Sequence, residues 1–234
     1  MEDCTWETIA DTLIKELQNG IYTKDEKMPS ENKMAVRFQV PRSEVRKAYA
    51  RLKELGYIYS LQGYGSFFSG KRKKIRLSMS DESFSKKMEQ MGINCQTKNI
   101  DCRKIRGSSL IHSNLNLEFG EPVYKVTRLR ILEEEPAAIH ISYLAEKDFP
   151  KIREDGRTIT SVYDYFHQNG YCDLKCVHAQ LTVSTLSKRE RTLLGVQGYA
   201  PCLVLTYKCL SLPEERVIEV GRTIYRSDKF ILEL

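Results

Sequence analysis

The chain has 234 residues, a formal net charge of +6 and 41% hydrophobic residues, enough apolar material for one large core or two modest ones. This composition excludes a disordered chain, and the small positive excess favours a polyanionic partner without requiring one. Seven cysteines without CxxC pairs, no signal peptide and no membrane-length apolar stretch lead us to expect a soluble cytoplasmic protein with no membrane partner.

The first 70 residues carry the pattern of three helices and a hairpin. Apolar residues recur at helical spacing in the first helix, Ser30 can cap the second, and Gly56 suits the left-handed end of the third. Strand patterns flank a glycine-bearing turn after the third helix. The pattern predicts a winged helix, with helices at about 6–19, 31–38 and 42–55 and strands at 57–61 and 66–69.

A basic segment with almost no apolar residues follows, and we assign residues 71–77 as a linker between a domain at 1–70 and a domain at 78–234. The linker is either a soluble tether or a direct contact for DNA. Short strands and helices are predicted in the rest of the chain, with strands near 75–78, 97–106, 122–133, 137–145, 172–186, 202–211 and 215–226 and helices near 81–91, 108–116, 161–169 and 188–194. This order predicts an α+β two-domain protein.

Basic residues occupy one face of the third predicted helix. Arg42 and Arg46 lie four residues apart, so both side chains leave the helix opposite its apolar face. An arginine held in the major groove of DNA can donate two hydrogen bonds to a guanine edge, and Ser43, Lys47 and Arg51 could hold phosphates. An ordinary solvated face with salt bridges would have the same spacing.

Two arginines are also expected on one face of the strand at 123–132. Alternation along the strand makes Arg128 and Arg130 neighbours, and their charges repel unless an anion lies between them. The guanidinium fork suits a carboxylate or a phosphate. The alternative is that both arginines pair with Glu118 or with the glutamates at 133–135.

The neighbouring elements add polar groups to this expected cluster. Ser161 and Tyr163 open a predicted helix, whose first N–H groups favour an anion, although Ser161 could be a plain helix cap. In the strand that follows the arginines, alternation separates a core-facing set from a set on the opposite surface. We expect Ile139, Ile141 and Tyr143 in the core and Ala138, His140 and Ser142 on the other face.

The N-terminal motifs occur in a specific order: Gly20, Pro29-Ser30-Glu31, Ala35, Val40, Arg42, Val45-Arg46, Ala48, Leu52, Gly56, Gly63 and Gly65. This order resembles the winged-helix domain of the GntR family of bacterial regulators. The resemblance implies that the third helix contacts bases or phosphates and that the tip of the wing enters the minor groove. We therefore expect double-stranded operator DNA to be bound by Arg42, Ser43, Glu44, Arg46, Lys47, Gln62, Gly63, Tyr64 and Gly65.

The chain departs from the GntR pattern at three places. Pro41 replaces the usual Ser or Thr before the third helix, although proline tolerates a first helical position. Glu44 replaces a small hydroxyl residue, and a carboxylate near phosphates is repulsive unless it accepts a bond from a cytosine amine. Ser60 and Tyr64 stand where the family often has arginines, so fewer phosphates are neutralised at the wing. We expect an unusual operator sequence.

The rest of the chain, from about Ser80, carries a second ordered set: Gly120-Glu121-Pro122, Arg128-Leu129-Arg130, Pro136, Ser142-Tyr143-Leu144, Phe149-Pro150, Ser161-Val162-Tyr163, Leu194-Gly195-Val196, Pro201 and Tyr225 to Phe230. It resembles the UTRA domain, the effector-binding domain of the HutC subfamily, which shares the chorismate lyase fold. The resemblance implies an antiparallel sheet with helices. It also implies an effector site: Arg128, Arg130, Ser161 and Tyr163 around an acidic group, and His140 and Glu219 facing the rest of the ligand. Many members have glutamate at the position of His140.

The sequence leaves three functions to compare. A homodimeric repressor would bind a palindromic operator and respond to a small anionic metabolite, which we expect to be a sugar phosphate. Such a protein would work in the bacterial cytoplasm and join the nucleoid when bound to DNA. A chorismate-lyase-like enzyme acting on a small carboxylate would leave the DNA module unexplained, and an architectural DNA protein would leave the arginines unused.

Catalysis and metal binding have little support in the sequence. No paired acid and base or activated nucleophile is visible, so we expect no catalytic residue and no cofactor. Cys172, Cys176 and His178 are close in sequence and could bind a metal or sense oxidation. Because no compact set of four ligands accompanies them, we expect no metal site.

Overall fold

The computed structural model describes residues 5–70, 75–78, 82–105, 109–198 and 200–233, and the chain divides into two compact units at residues 74 and 75. The basic residues 71–74 of the assigned linker lie outside the described residues. The next three residues, also assigned to the linker, belong to a strand of the second unit, where they pair with the C-terminal strand. No described helix is both long and apolar enough to span a membrane.

The first unit contains the predicted helices and hairpin: α1 (Trp6–Gln18), α2 (Glu31–Phe38), α3 (Arg42–Glu54), β1 (Ile58–Leu61) and β2 (Gly65–Phe68). Their apolar faces form one core, in which Ile9, Leu13 and Leu52 are fully buried. The side chain of Ser30 accepts the Lys33 N–H, which confirms the predicted cap of α2. The first unit therefore has the helix and hairpin order of a winged helix.

Two hydrogen bonds fasten α3 to the rest of the first unit. The Tyr49 hydroxyl donates to the Pro29 carbonyl at 2.6 Å, in the loop that leads into α2. The Trp6 N–H, at the start of α1, donates to the Glu44 carboxylate at 3.1 Å. A carboxylate at a helix N-terminus is also favoured by the helix dipole. Both contacts hold the exposed face of α3 in a fixed orientation within this unit.

The second unit is built from β3 (Ile75–Ser78), α4 (Phe84–Gln90), β4 (Cys95–Ile105), α5 (Ser109–Asn114), β5 (Val123–Leu132), β6 (Glu135–Ala145), α6 (Ile152–Asp155), α7 (Val162–Gln168), β7 (Leu174–Thr185), α8 (Lys188–Leu194), β8 (Pro201–Ser211), β9 (Arg216–Arg226) and β10 (Phe230–Glu233). Six strands form an antiparallel sheet in the order β4-β5-β6-β9-β8-β7, and β3 pairs with β10 in parallel. The predicted α+β fold is confirmed. Among the described elements, α6 and β10 have no counterpart in the prediction.

Both faces of the six-stranded sheet are buried at its centre. Ile139 and Ile141 pack on one face with Leu194 of α8, as expected for core residues. Ala138 and His140 lie on the opposite face, as expected, and that face is buried as well, since His140 is 7% exposed and Ser142 is fully buried. On that face, apolar clusters under α4 and α7 lie at either end, with a polar region between them. We call this side of the sheet the binding face.

Candidate functional sites

The exposed face of α3 carries the residues that the sequence assigns to DNA. Arg42, Ser43, Arg46 and Lys47 are exposed, while the helix buries the side chains of Val45, Ala48, Tyr49 and Leu52. Among the described residues, Arg46 forms no ion pair. The helix therefore presents a basic surface of the kind that can enter a major groove.

Acidic neighbours accompany two of these basic side chains. Arg42 Nε lies 2.8 Å from a Glu31 oxygen, and Lys47 Nζ lies 2.6 Å from a Glu44 oxygen. Exposed pairs of this kind contribute about 0–1 kcal/mol, so a phosphate can replace either partner at small cost. The Lys47 hydrogen bond lowers the pKa of Glu44, which keeps its carboxylate ionised. Glu44 thus has two partners within the protein, a role that its sequence position did not indicate.

The wing tip is the turn between β1 and β2. Gly63 and Gly65 have φ values of +81° and +110°, which side chains rarely adopt. A Cβ at Gly63 would meet no atom within 4 Å, so backbone conformation alone requires glycine there. Gln62 is exposed and the Tyr64 side chain is 70% exposed. The tip therefore presents an aromatic ring between two glycines to any partner.

A cavity of about 280 Å³ lies on the binding face of the second unit. Five of the six residues assigned to the effector line it: Arg128, Arg130, His140, Tyr163 and Glu219. Ser161 is not among the lining residues. Its hydroxyl caps α7 by accepting the Asp164 N–H at 3.2 Å, directly before the two residues of α7 that reach the cavity.

The arginine side chains are held by hydroxyl groups. Arg128 Nη2 donates to the Ser142 hydroxyl at 2.8 Å, from the strand next to its own. Arg130 Nη1 donates to the Ser85 hydroxyl at 3.2 Å and also to Thr97. These neutral partners fix the direction of each guanidinium group and do not neutralise its charge.

The predicted alternative, an ion pair with nearby glutamates, is absent from the described residues. No carboxylate there lies within ion-pair distance of Arg128 or Arg130; Glu133 instead accepts the Asn94 N–H, and Glu135 pairs with Lys229. The two arginines are 2% and 3% exposed, and the Nε atom of each is buried without a hydrogen-bond partner. Burying two charges without an ion pair costs free energy, and the Glu219 carboxyl, which lines the same cavity, acts on Arg128 only through space.

His140 and Glu219 complete the polar part of the cavity. Burial, and then the charges of Arg130 and Arg128, hold the pKa of His140 well below its usual range, so the imidazole is neutral. Burial raises the pKa of Glu219, against the opposing effects of the Ser142 hydroxyl and Arg128. His140 Nε2 and Glu219 Oε2 are buried without a partner. These two atoms can hydrogen-bond to hydroxyl or amine groups of a bound molecule.

Aromatic residues that the sequence analysis did not select form the remaining walls. The Phe84 ring lies 5.4 Å from the Arg130 guanidinium carbon and packs edge-on against His140. Tyr207 lies directly over Gly221, where a Cβ would stand 2.1 Å from its ring. Alternation along β8 and β9 could have grouped Tyr207 with Glu219, but only the pairing register shows that they share a face with the arginines.

Two family models match the chain. Residues 5–68 match the model described as bacterial regulatory proteins of the gntR family, and residues 90–231 match the UTRA domain. The matched regions correspond to the helix and hairpin unit and to the sheet unit that contains the cavity.

Curated bacterial regulators are similar to this chain over almost its whole length. The HTH-type transcriptional repressor NagR of Bacillus subtilis is 26% identical over 222 residues, covering 95% of this chain and 90% of that protein. The regulator TreR of the same organism is 23% identical over 224 residues, covering 95% and 93%. The crystal structure of PhnF from Mycobacterium smegmatis has a TM-score of 0.65 at 20% identity and covers 96% of each chain, which shows a shared fold.

The depressed pKa of His140 predicts a specific pH dependence. In the unfolded chain, His140 is protonated as pH falls through about 6.5, whereas in the folded protein it stays neutral to a lower pH. The contribution of His140 to the free energy of unfolding is therefore present above about pH 6.5 and is lost as pH falls. The limiting slope is about 1.4 kcal/mol per pH unit. In urea unfolding of the second unit from about pH 7.5 to about pH 5, His140→Gln should gain stability relative to the parent protein as pH falls.

Comparing the two proteins also removes the effect of Glu219. The raised pKa of Glu219 has the opposite effect on stability: its contribution is present below the pKa of the unfolded chain and is lost as pH rises. Because the parent protein and His140→Gln both contain Glu219, its effect cancels in the comparison. Parallel stability curves for the two proteins would show that His140 is protonated in the folded state, contrary to the prediction.

Proposed function

This chain belongs to the GntR family of bacterial regulators and carries a UTRA domain, and on that basis we propose that its operator binding responds to a sugar phosphate bound in the arginine cavity. It is a DNA-binding transcriptional repressor and not an enzyme. The proposal concerns the effector, the dimer and the individual residues that serve each site. It places the protein in the bacterial cytoplasm, associated with the nucleoid when bound to DNA.

The observation that carries the proposal is the pair of buried arginines without a carboxylate partner. Arg128 and Arg130 already use one or two N–H groups on serine and threonine hydroxyls, which leaves each Nε–H directed at no acceptor. A phosphate offers several acceptor oxygens and a charge that neutralises the pair. Tyr163 lines the same cavity and adds a hydroxyl donor, because burial raises its pKa and keeps it protonated.

The rest of the cavity suits a small polyhydroxylated molecule. His140 Nε2 and Glu219 Oε2 can bind hydroxyl or amine groups, and the rings of Phe84, Tyr207 and Tyr225 supply apolar walls. Sugars combine hydroxyl groups with apolar ring faces, so they use both kinds of surface. A volume of about 280 Å³ limits the ligand to a small metabolite.

In the proposed DNA complex, two copies of the chain bind a palindromic operator. The base-reading side chain is Arg46, which has no ion pair among the described residues, and Arg42 and Lys47 exchange their glutamate partners for phosphates. Ser43 is exposed beside them, and the wing tip contacts the minor groove. Because a dimer reads two half-sites at a fixed spacing, a change in the relation of its DNA-binding units alters affinity.

Replacing both cavity arginines tests the effector assignment. Arg128→Met with Arg130→Met removes two unpaired charges but keeps most of the volume, so stability without ligand should be retained or increased. Operator binding should persist, while the response to every sugar phosphate in a panel should disappear. The measurement is a titration of the operator complex with each compound at fixed salt, since phosphate contacts depend strongly on ionic strength.

Arg103→Ala is the matched control, because it removes an exposed arginine of β4 outside the arginine cavity. It should leave the ligand response intact. A double methionine variant that still responds normally would remove both arginines from the effector site.

Replacing Arg46 tests the DNA assignment. Arg46→Ala should weaken specific operator binding by about 1–3 kcal/mol, the discrimination that one bidentate guanine contact provides, and should not alter effector binding. Lys53→Ala is the control, since Lys53 is an exposed cation in the last turn of α3 that is not assigned to DNA. Competition binding against operator and unrelated DNA measures both variants. An Arg46→Ala protein with unchanged operator affinity would contradict the assignment.

A further inference from the structure

We propose that Cys176 and Cys209 are a redox-sensitive dithiol that closes into a cross-strand disulfide in the wall of the arginine cavity. The proposed modification depends only on these two residues and their strands. Its consequence for ligand binding rests on the effector function proposed above.

The strand register places the two cysteines directly opposite each other. Cys176 of β7 pairs with Cys209 of β8 in an antiparallel ladder. Three residues away, the Leu212 N–H donates to the Asp173 carbonyl at 2.9 Å, which marks that pair as hydrogen-bonded. Because pairs alternate along an antiparallel ladder, the cysteines occupy a non-hydrogen-bonded pair, with Cα atoms about 4.5 Å apart.

That separation falls within the range that a disulfide can bridge, about 4.4–6.8 Å between Cα atoms. Opposed residues on neighbouring strands also direct their side chains to the same face of a sheet. The pairing of the two strands therefore permits a disulfide between the two cysteines.

The other cysteines in described strands lack such a partner. Cys95 lies opposite Leu132, Cys102 opposite Val126, and Cys202 opposite Ser184. Within the described part of the chain, Cys176 and Cys209 are the one pair of cysteines opposed across a ladder. Disulfide formation between paired strands of the described residues should therefore be selective for them.

The pair also lies where an oxidant can reach it. Cys176 is half-buried and lines the cavity, whereas Cys209 is fully buried behind it. Cys209 is opposite Glu219 in the next strand, and Glu219 lines the cavity on the binding face. Small molecules therefore approach the dithiol from the cavity, and Cys176 meets them first.

The chemistry balances with a hydroperoxide as oxidant. The Cys176 thiol gives up its proton and its sulfur attacks one oxygen of hydrogen peroxide. The O–O bond breaks, the departing hydroxide takes up that proton and leaves as water, and Cys176 becomes a sulfenic acid. The Cys209 sulfur then attacks the Cys176 sulfur, the S–O bond breaks, and a second water leaves. Two thiols lose two electrons and the peroxide gains them. A small dithiol reductant restores both thiols by exchange.

Disulfide formation would change one contact within the ligand site. The Tyr163 hydroxyl lies 3.3 Å from Cys176 Sγ, and the same ring lines the cavity at the start of α7. A bond to Cys209 draws this sulfur toward β8 and away from the hydroxyl. Tyr163 then loses a partner that positions it beside the bound anion. The oxidised protein should bind an anionic ligand more weakly.

Thiol trapping and peptide mapping of the full-length protein test the dithiol. After treatment with hydrogen peroxide, remaining thiols are alkylated and the protein is digested without reduction. We expect a peptide that joins Cys176 to Cys209, loss of two alkylatable thiols, and full recovery with dithiothreitol. Cys176→Ser should abolish the linked peptide, as should Cys209→Ala, whereas Cys102→Ser should retain it.

Alkylation of both cysteines after peroxide treatment that oxidises other thiols would overturn the proposal. A linkage of either cysteine to another partner would overturn it as well.

Calorimetry with glucose 6-phosphate and inorganic phosphate then tests the consequence. Oxidised protein should bind either compound about fivefold more weakly than reduced protein, the scale of one lost hydrogen bond, with no such difference in Cys176→Ser. Equal affinities would refute the effect on the ligand site. If reduced protein binds no sugar phosphate from a wider panel, the proposed effector fails, and the peptide map still decides the dithiol.

Discussion

The arrangement of side chains on the binding face of the second unit depends on two like charges buried side by side on one strand. Arg128 and Arg130 are two residues apart in β5, and no carboxylate in the described residues pairs with either. Hydroxyl groups on β4, α4 and β6 hold the two side chains, while apolar clusters close both ends of the binding face. The surrounding fold bears an electrostatic cost of several kcal/mol, which a bound anion would relieve. Ligand binding and stability of this unit are therefore linked.

The same charges determine the protonation of their neighbours. His140 stays neutral because burial and two adjacent guanidinium groups disfavour a third cation. Glu219 is buried close to Arg128, yet its hydrogen bond is to Ser142, which in turn accepts from Arg128. Glu219 Oε1 thus accepts a hydrogen bond from Ser142, and Glu219 Oε2 has no partner in the protein and can bind a ligand. The cavity thus places two guanidinium groups beside an imidazole and a carboxyl group that can form hydrogen bonds.

The sequence predicted most elements because they follow local periodicity. Helical spacing identified the exposed face of α3, and strand alternation placed the two arginines side by side. The role of Glu44 and the opposition of Cys176 and Cys209 were not predictable, because each depends on contacts between elements distant in sequence. The same applies to Tyr207, whose ring lies over Gly221 of another strand. The register between two strands depends on how the whole sheet pairs, so it cannot be predicted from the sequence of one strand alone.

The most direct test of an anion site is the affinity of the parent protein for matched pairs of compounds, each a sugar phosphate or sugar acid and its uncharged counterpart. Calorimetry at fixed salt would measure both members of each pair. We expect saturable binding of at least one anionic member, and binding weaker by orders of magnitude for its neutral counterpart, since only the anion compensates the arginine pair. A neutral sugar that binds as tightly as its phosphate, or a full panel in which no anion binds, would contradict the account.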